Sequence, residues 1–587
     1  METLKSQGFT HCFYVGGGNS MHLLESASHR FKCVPVVHEV TAAIAVEYFN
    51  QSNDNGENAF ALVTAGPGFT NLVTGLGGAW LDSRELIVVG GQAKSTNLAR
   101  GTVRQLGHQE IDGVAIASPI SKKSVRIEHA WQSNQIIEAV SQSWMDRPGP
   151  VFVEVCLDVS AQEVSLEFGF EARVSDVQSE SIEIDKDFIF RDLVRNSQRP
   201  LVLLGGGVSR REAKAFLEGA KKFSLPVACT WTGADRVGND YEFYAGRPNT
   251  YGMRWSNIFQ QQADLLIAVG TSLGFQQTGF NIEEFLPAGN LVHVDIDRHE
   301  LEKENPKKRH GILMKGDVFL PGLNTLLEKE EKDFSFWASF LRELKKVVPP
   351  IEDCQKSRAP FVSPHEVMAR MGNYLKENDC LVAASSGGTF TASMQVLSVS
   401  GNQVLLGNKG LASMGYGLGG AIGCCFSRPK AKTILFEGDG GFAQNMQDLG
   451  TVRVNNLNLK IFITSNDGYA SIRTSQKNYF GGHYLGCDIS TGLFLPDWRK
   501  IAEAFEIPAL KISGSEWEND EFRMLISSNG PAIFIIESDP DQMYLPKIFS
   551  RVSVNGQMSS TAIHDMFPPL GAEASKRVFQ YIEAPMT

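Results

Sequence analysis

Short, continuous apolar runs recur along the chain and alternate with longer amphipathic stretches. In the first part of the chain the apolar runs are HCFYVGG, NAFALVTAG, ELIVVGG and GPVFVEV, and VTAAIAVEYFNQ is one of the helix-like stretches between them. Apolar runs without polar alternation are typical of strands that are buried on both faces of a parallel sheet. Their alternation with helices predicts a doubly wound α/β domain.

The same pattern starts again twice. A second set of runs comprises RPLVLLGGG, ADLLIAVGT and NLVHVDID, and a third comprises DCLVAASSG, KTILFEGDG, LKIFITSND and PAIFIIES. Residues 160–185 are acidic and rich in serine, which is typical of a linker. We therefore expect three doubly wound α/β domains with parallel sheets, at 1–162, 185–335 and 360–545, followed by an irregular tail at 546–587.

Composition narrows the classes of function. A chain of 587 residues is too long for one hydrophobic core, which agrees with several domains. The formal net charge of −11 disfavours binding to nucleic acid or to a membrane surface. The first residues, METLKSQGF, do not have the form of a signal peptide, and no apolar stretch is long enough to span a bilayer. The nine cysteines are scattered without CxxC spacing, so we expect reduced thiols and a cytoplasmic protein.

The strongest local signal for chemistry lies in the third unit. Gly438, Asp439 and Gly440 follow one predicted strand, and Asn466 and Gly468 follow the next. Asp439 and Asn466 are 27 residues apart, which suits one strand–helix–strand crossover and places both strand ends at one crevice. A carboxylate, an amide oxygen and a backbone carbonyl suit Mg²⁺, and the glycines let the backbone approach phosphates. An isolated GDG would more simply be a turn, but the pair of motifs predicts a site for Mg²⁺ and a diphosphate.

These motifs resemble the thiamine-diphosphate fingerprint, and the chain is similar over nearly its whole length to the acetolactate synthase family. The stretches that carry the resemblance, in family order, are YVGGG, VVHE, VTAGPGFTNLVTGL, AWLDSRELIVVGGQ, LASMGYGLGGAIG, GDGGF and SNDGY. A narrower resemblance, to acetolactate-synthase-like proteins associated with bacterial surface-polysaccharide sugars, is carried by RGTVRQLGHQEID, QTGFN, SNDGYASIRTSQKNYFGG and AIHDMFP. The resemblance implies pyrimidine-binding, central and diphosphate-binding domains in that order.

The resemblance also implies roles for single residues. Glu39 would contact the aminopyrimidine of thiamine diphosphate and activate it, although by itself it could be an acidic first-turn residue favoured by the helix dipole. Gln109 would lie near the reacting carbon, and His108, where the synthases usually carry phenylalanine, would either reach a polar acceptor or be a solvated loop residue. The metal ligands would be Asp439, Asn466 and Gly468. The cofactor-binding positions would be Gly16, Gly17, Glu39, Pro67, Asn71, Gly387, Gly388, Thr389, Ala412, Met414, Gly438, Asp439, Gly440, Gly441, Asn466, Gly468 and Tyr469.

Two departures from the family pattern bear on the reaction. Classical synthases carry Gln and His where this chain has Gly388 and Thr389, which puts the standard acetolactate reaction in doubt but not cofactor binding. The central domain matches positions around FAD in the synthases, namely Gly205, Gly206, Gly207, Thr230, Gly270, Asp295 and Asp317. However, GTSLGFQQTG lacks the arginines usual in the flavin segment, and related enzymes keep this domain without any flavin.

The expected function is that of a thiamine-diphosphate- and Mg²⁺-dependent carboligase. It would decarboxylate a 2-keto acid such as pyruvate and transfer the two-carbon unit to a carbonyl acceptor, either a second 2-keto acid or a keto-sugar nucleotide. Alternatives are a lyase, a simple decarboxylase, a C–C hydrolase or a catalytically silent binding subunit. Family likeness implies a homodimer or homotetramer with active sites between subunits, small-molecule substrates, and no nucleic-acid or membrane partner.

Overall fold

The computed structural model describes residues 1–53, 55–162, 187–303, 309–552 and 558–585. Most of the predicted linker at 160–185 therefore lies outside the described residues. In the described part of the chain, three parallel sheets follow one another along the sequence, each covered by helices. None of the described helices is both long and apolar enough to cross a membrane.

The first sheet lies between Phe9 and Cys156 and has the strand order β2-β1-β3-β4-β6-β5. Its strands are β1 (Phe9–Tyr14), β2 (Lys32–Pro35), β3 (Asn58–Val63), β4 (Leu86–Gln92), β5 (Lys123–Ile127) and β6 (Pro150–Cys156). Its helices are α1 (Glu2–Ser6), α2 (Met21–Ser28), α3 (Glu39–Ser52), α4 (Pro67–Leu81), α5 (Gly113–Ala117), α6 (Ser133–Ser141) and α7 (Leu157–Ser160). The chain reverses its winding between β1 and β3, which is the position where open α/β sheets bind ligands.

The central sheet has the strand order β11-β10-β9-β7-β8. Its strands are β7 (Pro200–Leu204), β8 (Val227–Cys229), β9 (Leu265–Val269), β10 (Asn290–Asp295) and β11 (Arg309–Leu313). Its helices are α8 (Phe188–Asn196), α9 (Arg210–Ala220), α10 (Arg254–Gln261), α11 (Phe275–Thr278), α12 (Arg298–Glu302), α13 (Gly316–Lys329) and α14 (Ser335–Val347).

The third sheet repeats the topology of the first, with the order β13-β12-β14-β15-β17-β16. Its strands are β12 (Cys380–Ala383), β13 (Val404–Leu406), β14 (Thr433–Gly438), β15 (Leu459–Ser465), β16 (Ala509–Ile512) and β17 (Ala532–Glu537). Its helices are α15 (Pro364–Arg370), α16 (Gly387–Val396), α17 (Tyr416–Ser427), α18 (Asp439–Phe442), α19 (Leu449–Val454), α20 (Ala470–Tyr479), α21 (Trp498–Ala504) and α22 (Asp520–Ser527). The tail adds the short strands β18 (Lys547–Ile548), β19 (Ser550–Val552), β20 (Met558–Ser560) and β21 (Met566–Phe567) and the helix α23 (Ala572–Val578).

One hydrophobic core joins the first and third domains. At its centre α3 packs closely on α17, because glycines of α17 let the two backbones approach. A Cβ atom built on Gly423 would lie 2.1 Å from the carbonyl oxygen of Ala45, and one on Gly420 would lie 2.7 Å from the Tyr48 ring. This packing fixes the start of α3 relative to the loop that precedes α17.

Candidate functional site

The third sheet presents two glycine-rich turns at its topological switch point, between β12 and β14. Gly387 opens α16 with a φ of +73°, and Gly438 ends β14 directly before α18. The two turns touch, since a Cβ atom on Gly438 would lie 3.4 Å from Oγ1 of Thr389. The predicted positions Gly387, Gly388, Thr389 and Gly438 to Gly441 are thus brought together at one end of the sheet.

Asp439 and Asn466 meet at the ends of two adjacent parallel strands. The strands are paired in register up to Gly438 and Thr464, and the backbone N–H of Asn466 donates to Oδ2 of Asp439 at 3.0 Å. Burial raises the pKa of Asp439 to about 6, although backbone N–H donors, that of Asn466 foremost, lower it. Both side chains are more than nine-tenths buried.

Oδ1 of Asn466 is buried and has no hydrogen-bond partner among the described residues. An unpartnered buried carbonyl oxygen costs free energy unless a ligand or ion satisfies it. This oxygen lies beside the carboxylate of Asp439. Two residues later the chain turns at Gly468, which has a φ of +133° and lies so close to the carbonyl oxygen of Cys487 that only glycine fits. This set of oxygen donors fits a hard divalent cation such as Mg²⁺.

Met414 and Tyr469 converge on Gly440. A Cβ atom on Gly440 would lie 2.3 Å from Cε1 of Tyr469 and 3.3 Å from Cε of Met414, so the backbone here must lack a side chain. Ala412, two residues before Met414, has a φ of +53°, which is unusual for a residue other than glycine. Such backbone geometry is frequent where a loop is held for function.

Residues of the first domain fix the loop that carries Ala412 and Met414. Asp82 accepts hydrogen bonds from the backbone N–H groups of Lys409 at 3.0 Å and Gly410 at 2.7 Å. Arg84 donates to the carbonyl of Gly407 at 2.6 Å and pairs with the buried carboxylate of Glu47 at 2.6 Å. The bonds of Asp82 and Arg84 to this loop could not be predicted from the sequence, because each joins residues more than 300 positions apart.

In the first domain, Glu39 begins α3 and is buried, with 8% of its surface exposed. Nδ2 of Asn71, in the second turn of α4, donates to Oε2 of Glu39 at 2.9 Å. Pro67 is the first residue of α4. Gly17 packs against Thr64, because a Cβ atom built on Gly17 would lie 2.4 Å from the side chain of Thr64. The predicted residues therefore gather at the carboxyl ends of β1 and β3, the switch point of the first sheet; Gly16 immediately precedes Gly17 there.

The loop with His108 and Gln109 closes over the same strand ends. A Cβ atom on Gly66 would lie 2.5 Å from the carbonyl oxygen of Gln109, and Nδ2 of Asn19 donates to the carbonyl of His108 at 3.0 Å. Gln109 itself has a φ of +58°, and its side chain is half-buried, whereas His108 is exposed.

Glu110, which the motifs did not single out, organises this loop. Its carboxylate accepts hydrogen bonds from the backbone N–H groups of Ala99, Leu106 and Gly107. Burial would raise the pKa of Glu110, but these three donors hold it below its usual value.

The structure thus forms two clusters. Asp439 and Asn466 are joined directly, and Glu39 is joined to Asn71, but among the hydrogen bonds of the described residues none links Glu39 to the Asp439 pair.

The central-domain positions predicted for a flavin are bonded to one another. The N–H groups of Gly205 and Gly207 donate to the carbonyls of Val269 and Gly270. The remaining polar contacts are Thr230 with Thr232 and Gly233, Asp295 with the N–H of Asp297, and Asp317 with the N–H of Ser209. Most of these donors and acceptors are thus used inside the domain, whereas no hydrogen bond among the described residues uses the backbone N–H of Gly206.

Three domain models of one enzyme family match the chain. The N-terminal TPP binding domain of thiamine pyrophosphate enzymes matches residues 1–116, the central domain matches 190–320, and the C-terminal TPP binding domain matches 386–536. The acetolactate synthase isozyme 2 large subunit of Escherichia coli (strain K12) is 27% identical over 551 residues, which is 92% of this chain and 94% of that protein. Acetolactate synthase 1, chloroplastic, of Nicotiana tabacum is 26% identical over 93% of this chain and 82% of its own, and the large subunit of Pyropia yezoensis is 27% identical over 96% and 95%.

These matches confirm the predicted fold class, with its three parallel-sheet domains, and the predicted family. The narrower resemblance to proteins of surface-polysaccharide sugars stays a prediction. The chain belongs to the thiamine pyrophosphate enzymes, and among them it is an enzyme similar to the acetolactate synthases.

Proposed function

We propose that the protein is a thiamine-diphosphate- and Mg²⁺-dependent carboligase that decarboxylates a 2-keto acid, with pyruvate as the donor, and transfers the remaining two-carbon unit to a carbonyl acceptor. The observation that carries the proposal is the buried Oδ1 of Asn466, which has no hydrogen-bond partner among the described residues and lies beside the carboxylate of Asp439. The similar proteins are named acetolactate synthases, which supports a carboligase rather than a simple decarboxylase.

The third domain would hold the charged end of the cofactor. Asp439, Asn466 and the carbonyl of Gly468 would bind Mg²⁺, and the turns at Gly387 and Gly438 would bring backbone N–H groups to the diphosphate. Met414, next to Tyr469, would pack against the cofactor, and the carbonyl of Ala412 would accept a hydrogen bond from it. When bound, thiamine diphosphate supplies a thiazolium carbon that adds to the keto carbon and accepts the electron pair left by CO₂.

The first domain would supply the group that holds a proton and the loop that shields the substrates from water. Glu39 would hold a proton at its carboxylate against the pyrimidine ring, with its side chain oriented by Asn71. Gln109 and His108 lie on a loop that closes over β1 and β3, so they would face the substrates and exclude water from them. Glu110 would keep this loop closed.

We further propose that the smallest active assembly is a homodimer in which Glu39 of one subunit serves the Asp439 site of the other. This is supported by the two separate clusters within one chain. Mixing the inactive variants Glu39→Gln and Asp439→Ala would restore one site in each mixed dimer, or about a quarter of wild-type activity after random exchange. If each site were built from one chain, mixing would restore no activity.

The proposed reaction needs no flavin, because the thiazolium ring of thiamine diphosphate itself accepts the electron pair left by CO₂. FAD stays a prediction of the family likeness, and an absorbance spectrum of the purified protein near 450 nm would test it. The nine cysteines, all unpaired in the structure, support the proposed cytoplasmic location.

The decisive experiment incubates the protein with thiamine diphosphate, Mg²⁺ and pyruvate labelled at C1. We expect labelled CO₂, and with an acceptor a product enlarged by two carbons in its mass spectrum. A panel with pyruvate, 2-ketobutyrate and a keto-sugar nucleotide identifies the acceptor, while free acetaldehyde alone would indicate a decarboxylase. Absence of labelled CO₂ with every acceptor would exclude pyruvate as donor.

A further inference from the structure

Arg247 is a fully buried arginine of the central domain, in the segment between β8 and α10. Its Nε donates to the carbonyl oxygen of Met394 at 2.8 Å, and its Nη2 donates to that of Leu397. Nη1 has no hydrogen-bond partner among the described residues, and no ion pair among them includes Arg247. Arginine is rarely buried without a carboxylate partner, so the two carbonyls are the groups that stabilise its charge.

Both carbonyls lie at the C-terminal end of α16 in the third domain. Met394 is in the last turn of this helix, and Leu397 directly follows it. The last carbonyls of a helix have no partner within the helix and carry the negative end of its dipole, which favours a cation. The other end of α16, about 15 Å away, is the turn at Gly387 and Gly388 that the proposed function assigns to the diphosphate.

The backbone before Arg247 is held by the central sheet. The N–H of Ala245 donates to a carbonyl of β8 at 2.8 Å, and an N–H of β8 donates to the carbonyl of Gly246 at 3.0 Å. Gly246 has a φ of +83°, and a Cβ atom built on it would lie 2.7 Å from the ring of Trp255. The guanidinium of Arg247 is therefore fixed by the central domain and reaches into the third.

Other residues of the central domain contact the same end of α16. The N–H of Asn239 donates to the carbonyl of Val399 at 2.8 Å, and its Nδ2 donates to Oγ of Ser398 at 3.1 Å. Nε2 of Gln395, in the last turn of α16, donates to the carbonyl of Tyr251 at 2.9 Å. Arg247 thus provides the charged contact within a larger interface between the central domain and the end of this helix.

We propose that Arg247 is a positioning residue through which the central domain fixes α16, and with it the diphosphate-binding turn at the opposite end of the helix. The proposal rests on the proposed function, since it requires a diphosphate at Gly387 and Gly388. It gives the central domain a part in cofactor binding that does not depend on flavin.

The test compares Arg247→Met with wild type in two measurements on the full-length protein. Thiamine diphosphate is titrated calorimetrically at saturating Mg²⁺, and hydrogen exchange of the amides in 387–397 is followed by mass spectrometry without the cofactor. Because the variant loses hydrogen bonds from a charged donor, we expect about 10-fold weaker binding and faster exchange in this helix. Arg247→Lys keeps the charge but cannot reproduce the two-pronged contact, so it should show both effects at a smaller size.

Arg199→Met is the matched control, because Nε of Arg199 also donates to a backbone carbonyl, that of Gln262, but within the central domain. It should bind the cofactor like wild type. An equal loss in this control would show general destabilisation of the central domain and overturn the inference. Wild-type affinity and exchange in Arg247→Met, or in Arg247→Lys should the first variant not fold, would overturn it too and leave the proposed function intact. If wild type itself showed no Mg²⁺-dependent binding of thiamine diphosphate, the proposed function would fail instead.

Discussion

Removing the guanidinium of Arg84 should loosen the joint between the first and third domains. Arg84 is buried, with 4% of its surface exposed, and its guanidinium contacts the carboxylate of Glu47 at 2.6 Å, the carbonyl of Gly407 at 2.6 Å and the carboxylate of Asp82 at 3.5 Å. Arg84→Met keeps much of the side-chain volume but leaves the Glu47 carboxylate buried without a cation. Breaking one partner of a buried ion pair typically costs about 3–5 kcal/mol.

This loss is measurable as a shift of the first calorimetric unfolding transition. With about 2–4 °C per kcal/mol for a domain of 150–250 residues, the expected decrease is roughly 6–20 °C. Because the protein has several domains, the comparison uses the transition temperature and not an extrapolated free energy. Arg453→Met is the matched control, since Arg453 and its partner Glu506 are exposed, and exposed pairs contribute little.

The pair can be isolated with Glu47→Gln and the double variant. If the ion pair acts as a unit, the double variant should cost less than the sum of the two single changes by about 0.5–3 kcal/mol. Burial already raises the pKa of Glu47, and Arg84 is the main group that lowers it. Without Arg84 the pKa of Glu47 should rise further above its unfolded value near 4.5. A carboxyl with a raised pKa stabilises the folded state only where it is protonated, and this contribution is lost as pH rises. The loss of stability in Arg84→Met should therefore be largest at neutral pH. An additive cycle, or a shift as small as that of the control, would refute the reasoning.

Three further results are expected. Glu39→Gln should bind thiamine diphosphate but slow exchange of its C2 proton, followed by NMR, by about 100-fold or more, and unchanged exchange would mean that Glu39 is not the activating carboxylate. Glu110→Gln should speed tryptic cleavage near Arg100 between pH 6 and 8, because it removes the carboxylate that binds the loop backbone. The lowered pKa of Glu110 keeps this carboxylate charged in wild type at these pH values, and it is protonated only in acid. Equal cleavage rates would show that Glu110 does not hold the loop. Burial lowers the pKa of His365 to about 4, although its bond to Gln395 raises it, so the unfolded state takes up the proton first and wild-type stability should fall as pH drops from 6.5 towards 4. His365→Gln should make this fall shallower in urea-unfolding midpoints, and an unchanged slope would contradict that assignment.

The interior of each sheet could be predicted from the sequence, whereas the edges largely could not. Central strands such as β14 and β15 are buried apolar runs, and both were found at the predicted places. The prediction missed five edge strands: β5, β8, β11, β13 and β16. Two of these have three residues each, and the others are partly exposed and carry charges, as edge strands commonly do. The remaining edge strand, β2, has two of its four residues exposed and ends at Pro35.

The same distinction between local and distant partners holds for the candidate site. Asp439 and Asn466 were paired correctly because one crossover separates two adjacent strand ends. The hydrogen bonds of Asp82 to Lys409 and Gly410 could not be predicted, because they join segments that are distant in sequence. The roles of Glu39 and Gln109 rest on family likeness, and the structure adds only their positions at the strand ends.

The central claim is that Asp439 and Asn466 hold a divalent cation and, through it, a diphosphate. Calorimetric titration of thiamine diphosphate into the purified protein, with Mg²⁺ and with EDTA, tests it most directly. The account predicts binding that requires Mg²⁺ and is weakened at least about 10-fold, or 1.4 kcal/mol, by Asp439→Asn, but is unchanged by Asn455→Ala on the exposed surface. Binding of equal strength with EDTA, or in Asp439→Asn, would contradict it.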